Sequence, residues 1–444
     1  MGAMYGGLEL AEMICLRGGL HAVEEKARKP YVLRRGLKFN IPFDGRTPSY
    51  DDTGTAAQEN IATMWDFTYW KHFLDTMVRN RYNVLSLWTT NPYAGMVKLP
   101  KYPDVNFDDV GRVTQRLTPK FHNHFQAYDV FDSANHTIIK KISLDDKIAY
   151  WTRVFDYAES LGIEIYMFHW NIFLWNADGK HGITYDQDNL KTIVYMRYVV
   201  KRMLETYPQI DGIGVSAGEN VKRKHPWKIG IEDWLYETYG LGVLDTLKEN
   251  PERRLRFIFR HLWSDLSKSA KAFEGYDVPF NTSHKYARAR LYSTTTSPYL
   301  DFEYREKVEQ TDVPCWLNFR NDDLFVHRWG NPDYTREFLA NLPRDVMQWE
   351  AGYYMGADSY VWGKELNATL TDMVSMAHLG RYYADKIRGA ADLAVYRADK
   401  QCIQHHPLAV THLANAVEDW QAYAQTATSQ YKPQLLSRSH YLDW

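Results

Sequence analysis

The stretch Asp211–Glu219, DGIGVSAGE, runs a short apolar strand through two glycines and ends on a carboxylate. In a (β/α)8 barrel the active site is built from residues just past the carboxyl ends of the strands, so a Glu at that point reads as an acid placed for chemistry. A surface-loop Glu is the competing reading, and the company that Glu219 keeps decides between them.

The flanking sequence repeats one beat. Trp65–Arg79, WDFTYWKHFLDTMVR, carries apolar residues at helical spacing and is followed at once by the strand YNVLSLW. DKIAYWTRVFDYAESLG, closed by Gly162, leads into IEIYMFHW, and LKTIVYMRYVVKRMLETYP leads into DGIGVSAGE. Each strand is almost wholly apolar, as a parallel strand covered on both faces must be. Upstream, KPYVLRRGLKFNIP holds a further strand, and DGRTPSYDDTGT is a loop by its Gly, Pro and Asp content. Downstream, RLRFIFRHLWSDLSKSAKAFEG is expected as a helix, followed by strands in YDVPFNTSH, VPCWLNFRNDD, DVMQWEAGYYMG and DSYVWGKE. Roughly seven to eight strands with intervening helices match one barrel. The expected fold is therefore α/β: a (β/α)8 TIM barrel over residues 56–368, entered through a helix and strand in 1–55. A helical extension over 369–444, expected to pack on the barrel, completes the chain.

Composition narrows the partners. The 444 residues carry 53 basic and 55 acidic side chains, a balance that calls for neither nucleic acid nor an acidic membrane surface. Aromatics make up 15% of the chain, with 15 Trp and 32 Tyr, more than a core requires and suited to stacking on sugar rings. Cys15, Cys315 and Cys402 are too scattered for a disulfide framework or a metal cluster. No apolar run reaches the ~18 residues of a membrane span, and the N-terminus reads as an amphipathic helix, not a signal peptide. A soluble protein is expected; nothing in the sequence decides between a monomer and a homodimer.

The expected strand ends gather Trp88 and Asn91; His169, Trp170 and Asn171; Glu219 and Asn220; Asn281 and His284. They continue with Arg320, Asn321, Asp322 and Asp323, then Trp349 and Glu350, then Trp362, Lys364 and Glu365. Carboxylates, amides, imidazoles and indoles are what a glycosidase needs, with one acid to protonate the leaving oxygen and a second carboxylate across the sugar. Glu219 is the expected general acid, and Asp322 or Asp323 the opposing carboxylate, with Glu350 behind them. Adjacent aspartates on an extended segment point to opposite sides, so only one of the pair faces the pocket. The remaining polar and aromatic residues are read as substrate ligands. After Glu219 the run NVKRKHPWK offers Lys222 and Arg223 to a carboxylate on the sugar, which makes a uronic acid the expected substrate unit. No HExxH, clustered Cys/His spacing or phosphate-cradling glycine loop is present, so neither a metal nor a nucleotide cofactor is expected.

Taken in order, GAMYGGLELAEMI, RRGLKFN, YNVLSLW, AESLGIEIYMFHW and IGVSAGEN resemble the segments through which family 67 α-glucuronidases and their hexosaminidase-like relatives enter and build their barrels. The resemblance implies an oligosaccharide or polysaccharide substrate, Glu219 as general acid, and an inverting base within WLNFRNDDLF, at Asp322 or Asp323. It also implies that the small α/β domain preceding the barrel is represented here by its last helix. Gly218 stands where the hexosaminidases carry an Asp that orients the acetamido group, which argues against acetamido-assisted chemistry. Two other readings use the same features: a noncatalytic carbohydrate-binding barrel, and a metal-dependent hydrolase or lyase on the same scaffold.

Overall fold

The computed structural model describes residues 2–23, 25, 27, 34–41, 43–45, 55–89, 93–113, 136–170, 174, 176–217, 228–261, 264–284, 315–317 and 359–430. The chain divides into two compact units, Met1–Arg336 with Leu435–Asp443, and Glu337–Gln434 with Trp444.

In the first unit, helix α1 (Gly2–Arg17) precedes strand β1 (Gly36–Asn40), helices α2 (Thr55–Met64) and α3 (Phe67–Arg79), strand β2 (Val84–Thr89) and the short helix α4 (Tyr93–Met96). An antiparallel pair, β3 (Val110–Val113) with β4 (His136–Lys140), stands apart from the main sheet. Then come α5 (Leu144–Ser160), β5 (Glu164–Trp170), α6 (Leu190–Thr206) and β6 (Ile210–Ser216). Helix α7 (Ile231–Leu235) joins α8 (Leu241–Glu249) through one π-helical turn, Tyr236–Gly240, and β7 (Arg256–His261), α9 (Leu266–Ala272), β8 (Phe280–His284) and β9 (Cys315–Leu317) follow.

The helices start where side chains can satisfy the free N–H groups of the first turn. Asp66 accepts from the Thr68 amide at α3, Ser143 from that of Asp146 at α5, and Asn189 from that of Lys191 at α6. Helix α5 buries Trp151, Val154, Phe155 and Ala158 on one stripe and stops before Gly162, whose φ of 71° few side chains tolerate.

Strands β1, β2, β5, β6, β7, β8 and β9 form one sheet in that order, every neighbouring pair parallel. A doubly wound sheet reverses its strand order at a switch point; this one never does. With right-handed crossovers throughout, unreversed order puts all the connecting helices on one side, the winding of a (β/α)8 barrel. The apolar residues sort accordingly. Leu85, Leu87, Ile165, Met167, Ile213, Val215, Phe257 and Phe259 face the helices and pack with Trp70, Trp151, Phe155, Val199 and Val200. Val84, Trp88, Tyr166, Phe168, Trp170 and Ile258 form a separate buried cluster on the inner face.

Two expectations are corrected. The segment expected as a single helix from Arg254 to Gly275 is strand β7 followed by the short helix α9. In RFIFRH, Arg256 and Arg260 share one face with Ile258 while Phe257 and Phe259 share the other, and parallel pairing with both β6 and β8 holds the segment extended. The strand expected over DSYVWGKE is helical from Ser359, because the run continues into a long helix with no proline to stop it. The candidate strand in DVMQWEAGYYMG lies outside the described residues.

The second unit is a helical hairpin, α10 (Ser359–Ala398) against α11 (His405–Gln430). Its seam carries His378–Asp419 at 3.0 Å, His405–Asp392 at 2.7 Å and His412–Asp385 at 3.0 Å. The Tyr382 and Trp420 rings meet across it at a tilt of 47°, with centroids 5.0 Å apart. Among the described residues no helix is long and apolar enough to cross a membrane.

Candidate active site

The carboxyl ends of the parallel strands concentrate aromatic and cationic side chains on the inner face. Alternation along each strand selects Lys38 of β1, Ser86 and Trp88 of β2, Phe168 and Trp170 of β5, Ser216 of β6, Ile258 and Arg260 of β7, and Ser283 of β8. The register sets Trp170 beside Ser216, Ser216 beside Arg260, and Arg260 beside Ser283.

Trp88 is the hub. Its indole is fully buried and stacks on Phe168 with centroids 4.3 Å apart and planes 14° apart, and Trp170 lies 5.4 Å away, tilted by 56°. Its Nε1 donates to Ser86 Oγ at 2.7 Å. The Lys38 ammonium is 4.0 Å from the indole centroid and the Arg260 guanidinium carbon 5.5 Å from it. Arg260, only 5% exposed, also donates from Nη1 to Ser216 Oγ. Burying Arg260 costs desolvation energy, and its cation–π contact offsets on the order of 1–2 kcal/mol of it, while Lys38 is half-buried.

The glycines of DGIGVSAGE explain how so many rings fit. A Cβ on Gly214 would fall 2.2 Å from Phe168 Cε1, and one on Gly212 would fall 2.3 Å from the Arg256 carbonyl oxygen and 3.0 Å from the Tyr166 ring. The bare stretch of β6 is thus the floor on which the aromatic residues of β5 lie. Beyond Ser216, the Ala217 amide still donates to the Arg260 carbonyl at 3.2 Å, so β6 is tied to β7 until two residues before Glu219. The far side of the basic loop is also anchored. Asp188 accepts from the amides of Lys228 and Ile229 at 2.9 Å, and these bonds hold its carboxyl below the usual range.

Asp211, at the amino end of the same strand, has a different role. It is half-buried, accepts from the Ile165 amide at 2.7 Å, and burial pushes its carboxyl up to about 6. Nearby Glu164 pairs with Arg34 at 2.7 Å and accepts from the Tyr166 hydroxyl at 2.6 Å, so ionic and polar contacts gather at the amino end of β5.

Trp88 and Trp170 lie together on the inner face. Asn281 faces inward one layer lower, where Arg256 Nη1 donates to its Oδ1 at 3.2 Å, and His284 is the last residue of β8. His169 is a correction: adjacent to Trp170 on an extended strand, it points to the opposite face and packs between Tyr93 and Tyr239 on the helix side. Trp362 and Lys364 are likewise corrected, since they lie on α10 and not at a strand end. Asn91, Asn171, Glu219, Asn220, Lys222, Arg223, Arg320, Asn321, Asp322, Asp323, Trp349 and Glu350 lie outside the described residues. Lys38 and Arg260 are absent from the expected set. Arg260 was hidden by the reading of β7 as helix, although the Arg–Phe–Ile–Phe–Arg alternation signals a strand with cations on one face.

No protein-family model matches the sequence. No curated protein matches it. Among solved structures the chain is similar to a GH138 enzyme targeting pectin rhamnogalacturonan II, at 23% identity over 64% of this chain and 30% of that one, with a TM-score of 0.46. It is also similar to a β-N-acetylhexosaminidase, at 12% identity over 65% of each chain and a TM-score of 0.35. PbGH5A, a glycoside hydrolase family 5 enzyme from Prevotella bryantii B14, aligns at 13% identity over 63% of this chain and 74% of its own, with a TM-score of 0.35. This chain thus spans under a third of the length of the GH138 enzyme.

Proposed function

We propose that the protein is a glycoside hydrolase acting on a glycan that carries a uronic acid. One observation carries the reading: an aromatic wall of Trp88, Phe168 and Trp170, flanked by Lys38 and Arg260, sits at the carboxyl ends of the strands, where β6 leads toward Glu219. Indoles take the apolar face of a sugar, and two cations, one of them buried, favour a carboxylate over a neutral hydroxymethyl group. Lys222 and Arg223 of the basic loop add to that preference.

In this reading Glu219 donates its proton to the glycosidic oxygen as the bond to the leaving group breaks. Asp322 or Asp323, with Glu350 as the third candidate, deprotonates a water that attacks the anomeric carbon from the opposite face. Inversion requires the two carboxyl groups to stand roughly 6.5–9.5 Å apart, against about 5–5.5 Å for retention. Gly218 leaves no carboxylate to orient an acetamido group, so the attacking oxygen comes from water or from the second carboxylate.

The test is the leaving-group dependence of Glu219→Gln. Turnover of a glycoside with a poor leaving group should fall by roughly 10²–10⁴-fold, while one whose leaving group needs no proton is spared. Equal activity of variant and wild type on both substrates would remove Glu219 from the mechanism.

A further inference from the structure

The two helices of the hairpin meet through polar side chains. His378, Asp385 and Asp392 follow one another at seven-residue steps along α10, as His405, His412 and Asp419 do along α11, and they pair in antiparallel order. Each heptad of the seam thus gives one of its two core positions to a His–Asp pair. The fully buried residues of the hairpin, among those described, are small: Ser375, Gly389, Ala409 and Ala416. Helices in proteins owe most of their stability to an apolar face packed against a partner, and this seam supplies little of that packing.

The large apolar residues stand outside the seam. Met376 and Tyr383 of α10 and Val410, Leu413, Val417 and Trp420 of α11 are exposed, from 37% at Trp420 to 56% at Val410. They share one flank. Leu413 Cγ would stand 2.8 Å from a Cβ on Gly389, and the Trp420 ring meets that of Tyr382, which in turn meets Tyr383. At steps of three and four residues, this flank runs Met376, Leu379, Tyr383, Lys386, Ala390, Leu393 along α10 and continues apolar from Val410 to Ala427 along α11. It holds no acidic residue, and its one cation, Lys386, donates to the Tyr382 hydroxyl at 2.8 Å. The heptad places Arg381, Arg388, Asn415 and Glu418 on the opposite flank, so the hairpin as a whole is amphipathic.

At about 1.5 Å per residue the apolar flank runs roughly 27 Å along each helix, and two helices with axes about 8–10 Å apart make it roughly 20 Å wide. Two such faces pressed together cover roughly 1,100 Å², which reaches the ~1,000 Å² that a specific interface needs. A pair of antiparallel helices without acidic residues matches a copy of itself, because a two-fold axis lays one hairpin on the other and completes a four-helix bundle.

We infer that the hairpin is a homodimerisation element, which pairs through its Met376–Trp420 flank with the same flank of a second copy of the chain. The His–Asp layers fix the register within each hairpin, and the apolar packing that holds it lies between the copies.

Sedimentation velocity of the full chain at micromolar concentration tests this. Wild type should run at twice the mass of one chain, Val417→Glu as a monomer, and Asn415→Glu, on the opposite flank, as a dimer. A wild-type monomer would overturn the inference, as would a dimer that Val417→Glu leaves intact or that Asn415→Glu dissociates equally. Because a new charge can melt the hairpin itself, Met376→Ala combined with Val417→Ala gives a second reading. Its dissociation constant should rise by roughly tenfold or more while circular dichroism shows the helical content of wild type. An unchanged constant would place the contact elsewhere and overturn the assigned flank.

Discussion

Gly214→Ala tests the relation between the β6 glycines and the aromatic interior. The added Cβ would stand 2.2, 2.3 and 2.5 Å from three atoms of the Phe168 ring, so the ring must withdraw by about 1 Å or more to reach ordinary contact. It has little room, being stacked at 4.3 Å on Trp88, which is itself held by Ser86 and flanked by Lys38. Overpacking of this kind costs about 1–3 kcal/mol, and the reduced freedom of the unfolded chain returns about 0.4–1 kcal/mol. A net loss of about 1–2 kcal/mol is expected, read as a lower urea midpoint with an unchanged slope. Gly6→Ala in α1 is the control: nothing lies within 4 Å of its Cβ position, so the helix should gain roughly 0.5–1 kcal/mol. Adding Phe168→Leu to Gly214→Ala should relieve part of the strain, giving a double variant more stable than the sum of the singles. Wild-type stability for Gly214→Ala, or strict additivity with Phe168→Leu, would refute the packing of that ring over β6.

Three further outcomes follow. Asp211 has its carboxyl raised from 3.8 to about 6 in the fold, so the native state holds its proton longer than the unfolded chain, and stability falls as pH rises from about 4 through 6. Asp211→Asn, which keeps an acceptor for the Ile165 amide, should therefore be neutral at pH 4 and more stable by about 2 kcal/mol at pH 8, measured by urea midpoints; destabilisation at pH 8 would contradict this. His169 acts in the opposite sense: held neutral down to about 3, it costs stability as pH falls below the ordinary value of 6.5, so His169→Phe should flatten the acid limb of the stability curve. Arg260→Met should lower turnover of a uronosyl substrate by roughly 10–100-fold while leaving its carboxyl-reduced counterpart nearly unaffected, the signature of a lost charge-assisted contact; equal losses on both substrates would assign Arg260 a structural role.

The sequence shows clearly the elements whose local and tertiary signals agree. β2, β5 and β6 are apolar runs behind amphipathic helices with capping Asp, Ser and Asn residues, and each lies close to its expected position. β7 was obscured because LRFIFRHLW holds enough apolar residues to suit either period, and it is the pairing with β6 and β8 that makes it a strand. With it went Arg260 and Arg256, cations that local propensity assigns to a helix surface. The opposite facing of His169 and Trp170 was available from alternation alone, by the rule already applied to Asp322 and Asp323. The glycines at 212 and 214 were visible, but their reason was not, since only the cross-strand register shows that they lie under Tyr166 and Phe168.

Glycosidic bond cleavage by Glu219, beside a cationic, aromatic wall, is the proposal on which the functional reading rests. The most direct measurement follows sugar release and product anomer by NMR across uronosyl oligosaccharides and their carboxyl-reduced counterparts, with wild type and Glu219→Gln in parallel. Release of the uronic acid by wild type as a single anomer, reduced at least 100-fold in Glu219→Gln on poor leaving groups, is the expected result. Binding of these glycans without any bond cleavage, or cleavage unchanged in Glu219→Gln, would contradict the claim.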